Sequence, residues 1–113
     1  TGCKNISGFT ANGAQRIHAT DWDISLDVAQ NPTGFAYVGI RMHDIFYGDG
    51  PNATHFVVLE EIENPFSYTI MVRAKGALHA SPLGWEVDKA LWQSVRASEI
   101  VLHIPNEKIM LLN

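Results

Sequence analysis

Cysteine is almost absent from this 113-residue chain. Cys3 stands alone, so no internal disulfide can form and the core has to be held by packing. Charge is sparse as well, at 18% of residues, with twelve acidic side chains against eight Lys plus Arg for a formal net charge of -4. Those eight cations are scattered, which leaves a nucleic-acid backbone without an electrostatic footprint and excludes nucleic acid as the expected partner. Long apolar runs are missing too: nothing approaches the ~18 residues that cross a bilayer, and no secretory-signal pattern occurs in the chain. What the chain does have is 46% hydrophobic residues in a length typical of one domain. That is enough to bury a core without metal or disulfide staples, and it excludes a disordered chain. Residues 1–113 read as one continuous domain without repeats, low-complexity tracts or linkers.

Turn-forming residues cut the sequence at Asn12-Gly13, Asn31-Pro32-Thr33-Gly34, Gly48-Asp49-Gly50-Pro51-Asn52, Asn64-Pro65, Ser81-Pro82-Leu83-Gly84 and Pro105-Asn106. Between these marks the apolar period is mostly two. Trp22, Ile24, Leu26 and Val28 alternate with Asp21, Asp23, Ser25 and Asp27, which describes a strand with an apolar inner and an acidic outer face. Ala36, Val38, Ile40 and Met42 form a second inward row, ended by a bulge near Asp44, and Phe66, Tyr68, Ile70 and Val72 form a third. Thr54 to Ile62 is a strand of undefined parity, and Ile100 to Leu112 reads as a hairpin around Pro105-Asn106. One window differs: Val87, Leu91, Trp92 and Val95 recur at three- to four-residue spacing and predict a short helix over 85–97. The expected fold is all-β, an Ig-like or fibronectin-like antiparallel sandwich of about seven strands with that one helix. An α+β sheet is the alternative.

The chemistry-bearing residues point away from catalysis. None of the five histidines, His18, His43, His55, His79 and His103, lies two to four residues from another His or Cys, as zinc ligands usually do. Asp21, Asp23 and Asp27 share a strand face rather than a curved calcium loop, and Glu60, Glu61 and Glu63 read as a solvated edge. No nucleophile elbow, Ser-His-Asp order with a Gly-rich turn, or phosphate loop occurs. The expectation is no enzyme, no catalytic residue, no metal and no cofactor. The tract Gly48 to Asn52 reads as a hairpin turn. Two N-x-S/T sequons make Asn5 and Asn52 candidate glycosylation sites, and the second lies in that turn.

The run Ala19-Thr20-Asp21-Trp22-Asp23-Ile24-Ser25-Leu26-Asp27-Val28, then Gln30-Asn31-Pro32, then Ile45-Phe46-Tyr47-Gly48-Asp49, resembles the group-two late-embryogenesis-abundant (LEA) domain of plants. More narrowly it is similar to the NDR1/HIN1-like subfamily. Trp22, Asp23, Asn31 and Pro32 carry the resemblance as structural motif residues. Pro32 lacks an amide hydrogen and holds Asn31 extended, so a strand ladder ends there whatever the family. The resemblance implies a β-sandwich on the extracellular face of the plasma membrane, held by a membrane segment upstream of residue 1. It also implies a non-enzymatic interaction role in defence or stress signalling or in contact between plasma membrane and cell wall. The partner would be a protein or a cell-wall or membrane component, with Tyr47, Gly48 and Asp49 as the expected interaction loop. Two alternatives are a soluble cytoplasmic LEA-type protein that protects proteins or membranes during desiccation, and a bacterial lipoprotein in which Thr1-Gly2-Cys3 ends a lipobox and Cys3 carries lipid.

Overall fold

A computed structural model describes residues 4–113, so Cys3 and any role for it lie outside the described residues. The chain is an all-β sandwich of two antiparallel five-stranded sheets with one short helix. Strands β1 (Lys4–Ala11), β2 (Arg16–Ala19), β3 (Ile24–Asp27), β4 (Tyr37–Arg41) and β10 (Met110–Leu112) form the first sheet in the order β10-β4-β1-β2-β3. Strands β5 (Phe46–Tyr47), β6 (Thr54–Glu63), β7 (Ser67–Ala74), β8 (Leu83–Asp88) and β9 (Glu99–His103) form the second in the order β5-β9-β6-β7-β8. Helix α1 (Lys89–Val95) links β8 to β9.

The alternation of Trp22, Ile24, Leu26 and Val28 is realised in full: all four are buried, and Asp21, Asp23 and Asp27 are exposed. The strand itself is shorter than the pattern. Thr20 to Asp23 is a turn in which Asp23 takes φ 55°, a left-handed value that Asp tolerates better than most residues. In the second row Val38 and Ile40 are buried, but Ala36 lies before β4 and is exposed. A 3-10 turn, Met42–Asp44, stands where the bulge was expected; it carries the chain between the sheets and buries Asp44.

Four further expectations are corrected. The helix covers 89–95, not 85–97, because Trp85 and Val87 face the core from β8 opposite Ile70 and Tyr68, and the helical spacing starts only after Asp88. Ile100 to Leu112 is not a hairpin: β9 and β10 belong to different sheets, with a 3-10 turn, Asn106–Lys108, between them. Gly48 to Asn52 is not a hairpin turn either. Strands β5 and β6 both pair with β9, one on each side, so this segment passes around the end of β9. Phe66 drops out of the third inward row. It sits in the β6–β7 turn at 91% exposure, while Tyr68, Ile70, Val72 and Ala74 continue the row inward.

One contiguous core lies between the sheets, and its largest fully buried members are Trp85, Trp92 and Phe56. Trp92 of the helix meets Trp85 edge to face with ring centroids 6.0 Å apart, which seats α1 against the second sheet. The Trp85 indole Nε1 donates to the Ile45 carbonyl at 2.9 Å, and Tyr47 stacks on the same indole. One tryptophan on edge strand β8 thus fastens the segment leading into the opposite edge strand, β5. Trp22 is 3% exposed and part of this core. Trp22→Ala is expected to cost about 3–5 kcal/mol in urea unfolding; a loss below about 1 kcal/mol would mean the cavity is refilled or Trp22 does not pack as described.

Candidate functional site

The two sequon asparagines are structural. Asn5 on β1 points inward and is 8% exposed. Its Nδ2 donates to the Gly84 carbonyl at 2.9 Å and to the Ile40 carbonyl at 3.3 Å, while its Oδ1 accepts from the Gly84 N–H at 2.8 Å. Gly84 belongs to edge strand β8 of the other sheet, so the Asn5 amide supplies the edge pairing that a neighbouring strand would give. The space beside Gly84 is filled by Met42: a Cβ there would stand 2.5 Å from the Met42 methyl carbon.

Asn52 does the same at another corner, from a left-handed φ of 58°. Its Oδ1 accepts from the Asp27 N–H at 2.7 Å. Its Nδ2 faces three acceptors: the carbonyls of Asp27 at 3.0 Å and Ile104 at 2.9 Å, and Asn106 Oδ1 at 3.0 Å. This joins the end of β3 in the first sheet to the chain leaving β9 in the second. The expected interaction loop is partly fastened as well. Gly48 donates its N–H to Val101 and accepts from His103 Nδ1 at 2.9 Å, leaving Asp49 and part of Tyr47 exposed. Trp22 serves the core, Asp23 the turn before β3, and the Asn31 Oδ1 accepts the Thr33 N–H at 3.0 Å beside the buried Pro32.

The outer face of the first sheet departs from an ordinary solvated sheet. On its β10-β4-β1 side, Ile6 stands opposite Gly39, Gly39 opposite Met110, and Tyr37 opposite Leu112. Ile6 is 53% and Tyr37 48% exposed. Gly39 leaves a gap that the tips of Leu112 and Met110 lean over, within 3.1 and 3.5 Å of where a Cβ would be. The result is an apolar strip on the face where alternation ordinarily places polar residues. Lys4 and Arg41, directly opposite each other, flank it.

On the β2–β3 side of the same face lies a polar network that sequence reasoning missed. His18 Nδ1 is 3.1 Å from Ser25 Oγ, and His18 Nε2 is 3.0 Å from Asp23 Oδ1. His18 and Ser25 are direct cross-strand partners. The flanking pairs Ile17–Leu26 and Ala19–Ile24 have inward side chains, so these two share the outer face. That juxtaposition was latent in the alternating pattern, but only the β2–β3 register makes it a contact. The other histidines are dispersed, and no group of three His, Cys, Asp or Glu side chains that could hold a metal ion occurs among the described residues.

Linking a sugar to Nδ2 replaces one of its two hydrogens, and both asparagines use this nitrogen on more than one protein acceptor. Mass mapping of protein made in a glycosylating eukaryotic host is therefore expected to find Asn5 and Asn52 unmodified in the folded fraction. A glycan on either, in folded protein, would contradict these hydrogen bonds. No protein-family model matches the chain, and no curated protein matches it.

Proposed function

We propose that this domain is an interaction module whose docking surface is the outer face of the first sheet. The observation that carries the reading is the apolar strip of Ile6, Tyr37, Met110 and Leu112 around Gly39. Contiguous exposed apolar surface on a small domain marks a contact site more often than scattered apolar residues do. Tyr37 suits such a contact, since it offers a large ring with little side-chain entropy to lose and a hydroxyl at its rim. The partner is a protein with a complementary apolar patch, or a component of a cell wall or membrane.

The resemblance to the plant LEA group-two domain supports placing this module on the extracellular face of a plasma membrane, in defence or stress signalling, through an anchor upstream of residue 1. The clamped asparagines favour a role without glycans at Asn5 and Asn52. Proximity labelling in cells, comparing the wild type with an Ile6→Lys/Tyr37→Lys double variant, tests the surface. Both side chains point to solvent, so the variant is expected to keep its melting temperature within a few degrees. Partners labelled by the wild type should be lost from the variant; an identical set of labelled partners would remove this face from the account.

A further inference from the structure

We infer that Ser25, His18 and Asp23 form a hydrolytic site for small, unhindered carboxylic esters on the edge of the first sheet, an activity beyond the interaction role. The three residues follow one another within eight positions, His18, Asp23, Ser25, and are connected by hydrogen bonds of 3.1 and 3.0 Å. The proton positions follow from the partners. An ionised Asp23 carboxylate only accepts, so His18 Nε2 carries the ring proton and donates it to Asp23 Oδ1. Nδ1 is then left with a lone pair facing the Ser25 hydroxyl, the arrangement of a base beside a nucleophile. The ring nitrogens are used in the opposite sense from the familiar serine-hydrolase triad, but the roles are chemically equivalent.

The backbone supplies the other requirements. Strand β3 is the edge of its sheet. Asp27 turns its N–H away from β2, toward Asn52. Backbone direction alternates along a strand, so the Ser25 N–H, two residues earlier, also points away from β2. A nucleophile's own N–H is one of the donors that can receive an oxyanion. Asp23 is held in its left-handed conformation by its N–H on the Ala19 carbonyl at 2.8 Å, a backbone setting from which the carboxylate reaches His18. Such an unfavoured backbone conformation is often found at functional sites. Thr20 and Asp23 also border an open depression of about 380 Å³ against the segment Gly76 to Ala80.

In the proposed reaction Ser25 Oγ adds to the ester carbonyl carbon as its proton passes to His18 Nδ1. The intermediate collapses by breaking the bond between carbonyl carbon and alkoxy oxygen, and the proton on Nδ1 goes to the leaving alkoxide, which departs as the alcohol. Water then adds to the acyl group on Ser25 and gives a proton to Nδ1. The bond to Ser25 Oγ breaks, Ser25 takes back that proton, and the carboxylic acid leaves. Ser25 and His18 are the catalytic residues and Asp23 is a positioning residue. The His18 and Asp23 side chains are partly exposed, so the site offers little binding energy, and the esters expected to react are small ones with good leaving groups.

The test uses the purified chain, p-nitrophenyl acetate and an alkyl fluorophosphonate probe. Ser25→Ala and His18→Ala are each expected to lower ester hydrolysis at least tenfold, whereas His55→Ala, at an exposed histidine outside the network, leaves it unchanged. The phosphonate should be found on Ser25 by peptide mapping. Asp23→Asn, which tolerates the same φ, should lower kcat and leave KM unchanged at an unaltered melting temperature. If Ser25→Ala is poorly folded, Ser25→Cys keeps the volume and should accumulate the acetyl adduct at that position. Hydrolysis at the wild-type rate in folded Ser25→Ala, or a probe adduct elsewhere but none on Ser25, would overturn the proposal and leave the three residues as a cross-strand polar contact.

Discussion

The amide of Asn5 closed on the backbone of Gly84 is the contact on which the sandwich turns. A five-stranded sheet has two edges, and each exposes N–H and C=O groups that must be paired, covered or left to water. Strand β8 resolves this by receiving a side chain in place of a strand, from the central strand of the other sheet. The bond therefore pairs that edge at Gly84 and ties one sheet to the other. Each buried backbone group orphaned by its loss would cost roughly 1–3 kcal/mol, a sizeable share of the ~5–15 kcal/mol that stabilises an ordinary domain. Asn52 repeats the device between β3 and the chain leaving β9.

These clamps explain how the rest of the molecule can be simple. With two corners fastened by amides, and Trp85 holding the Ile45 carbonyl, the short β5 and the three-residue β10 suffice as edge strands. The outer face of the first sheet is then free of structural duties. Its two halves differ in character, an apolar strip over β10, β4 and β1 and a polar network over β2 and β3. Interaction and hydrolysis are proposed for neighbouring halves of one sheet face.

Much of the architecture was legible in the residues. Alternation from Trp22 to Val28 identified the core face, because one face of that segment is fully buried and a one-residue slip would expose every apolar side chain. Local pattern failed where tertiary context decided. Trp85 and Val87 look helical in phase with Leu91 and Trp92, yet cross-strand pairing with Ile70 and Tyr68 claims them for β8. Pro105-Asn106 signals a turn, but turn chemistry cannot say whether the chain returns to the same sheet. Phe66 belongs to the period-two row by spacing and leaves it because the turn closed by the Asn64 N–H on the Ser67 carbonyl holds it outside β7.

The candidate site residues were less legible still. Asn5 and Asn52 match a three-residue motif that describes an accessible loop, and nothing in that motif reports that each amide is committed to the opposite sheet. His18, Asp23 and Ser25 could be recognised only through the β2–β3 register and the left-handed turn at Asp23, both of which are three-dimensional facts.

Backbone hydrogen exchange at Gly84 tests the central claim most directly. An edge-strand N–H directed away from its sheet exchanges rapidly unless something accepts it. In the wild type the Gly84 N–H is expected to be as protected as the central strands, and in folded Asn5→Ala to lose that protection selectively. Rapid exchange at Gly84 in the wild type, or protection unchanged in Asn5→Ala, would show that the sheets are held together by something other than this clamp.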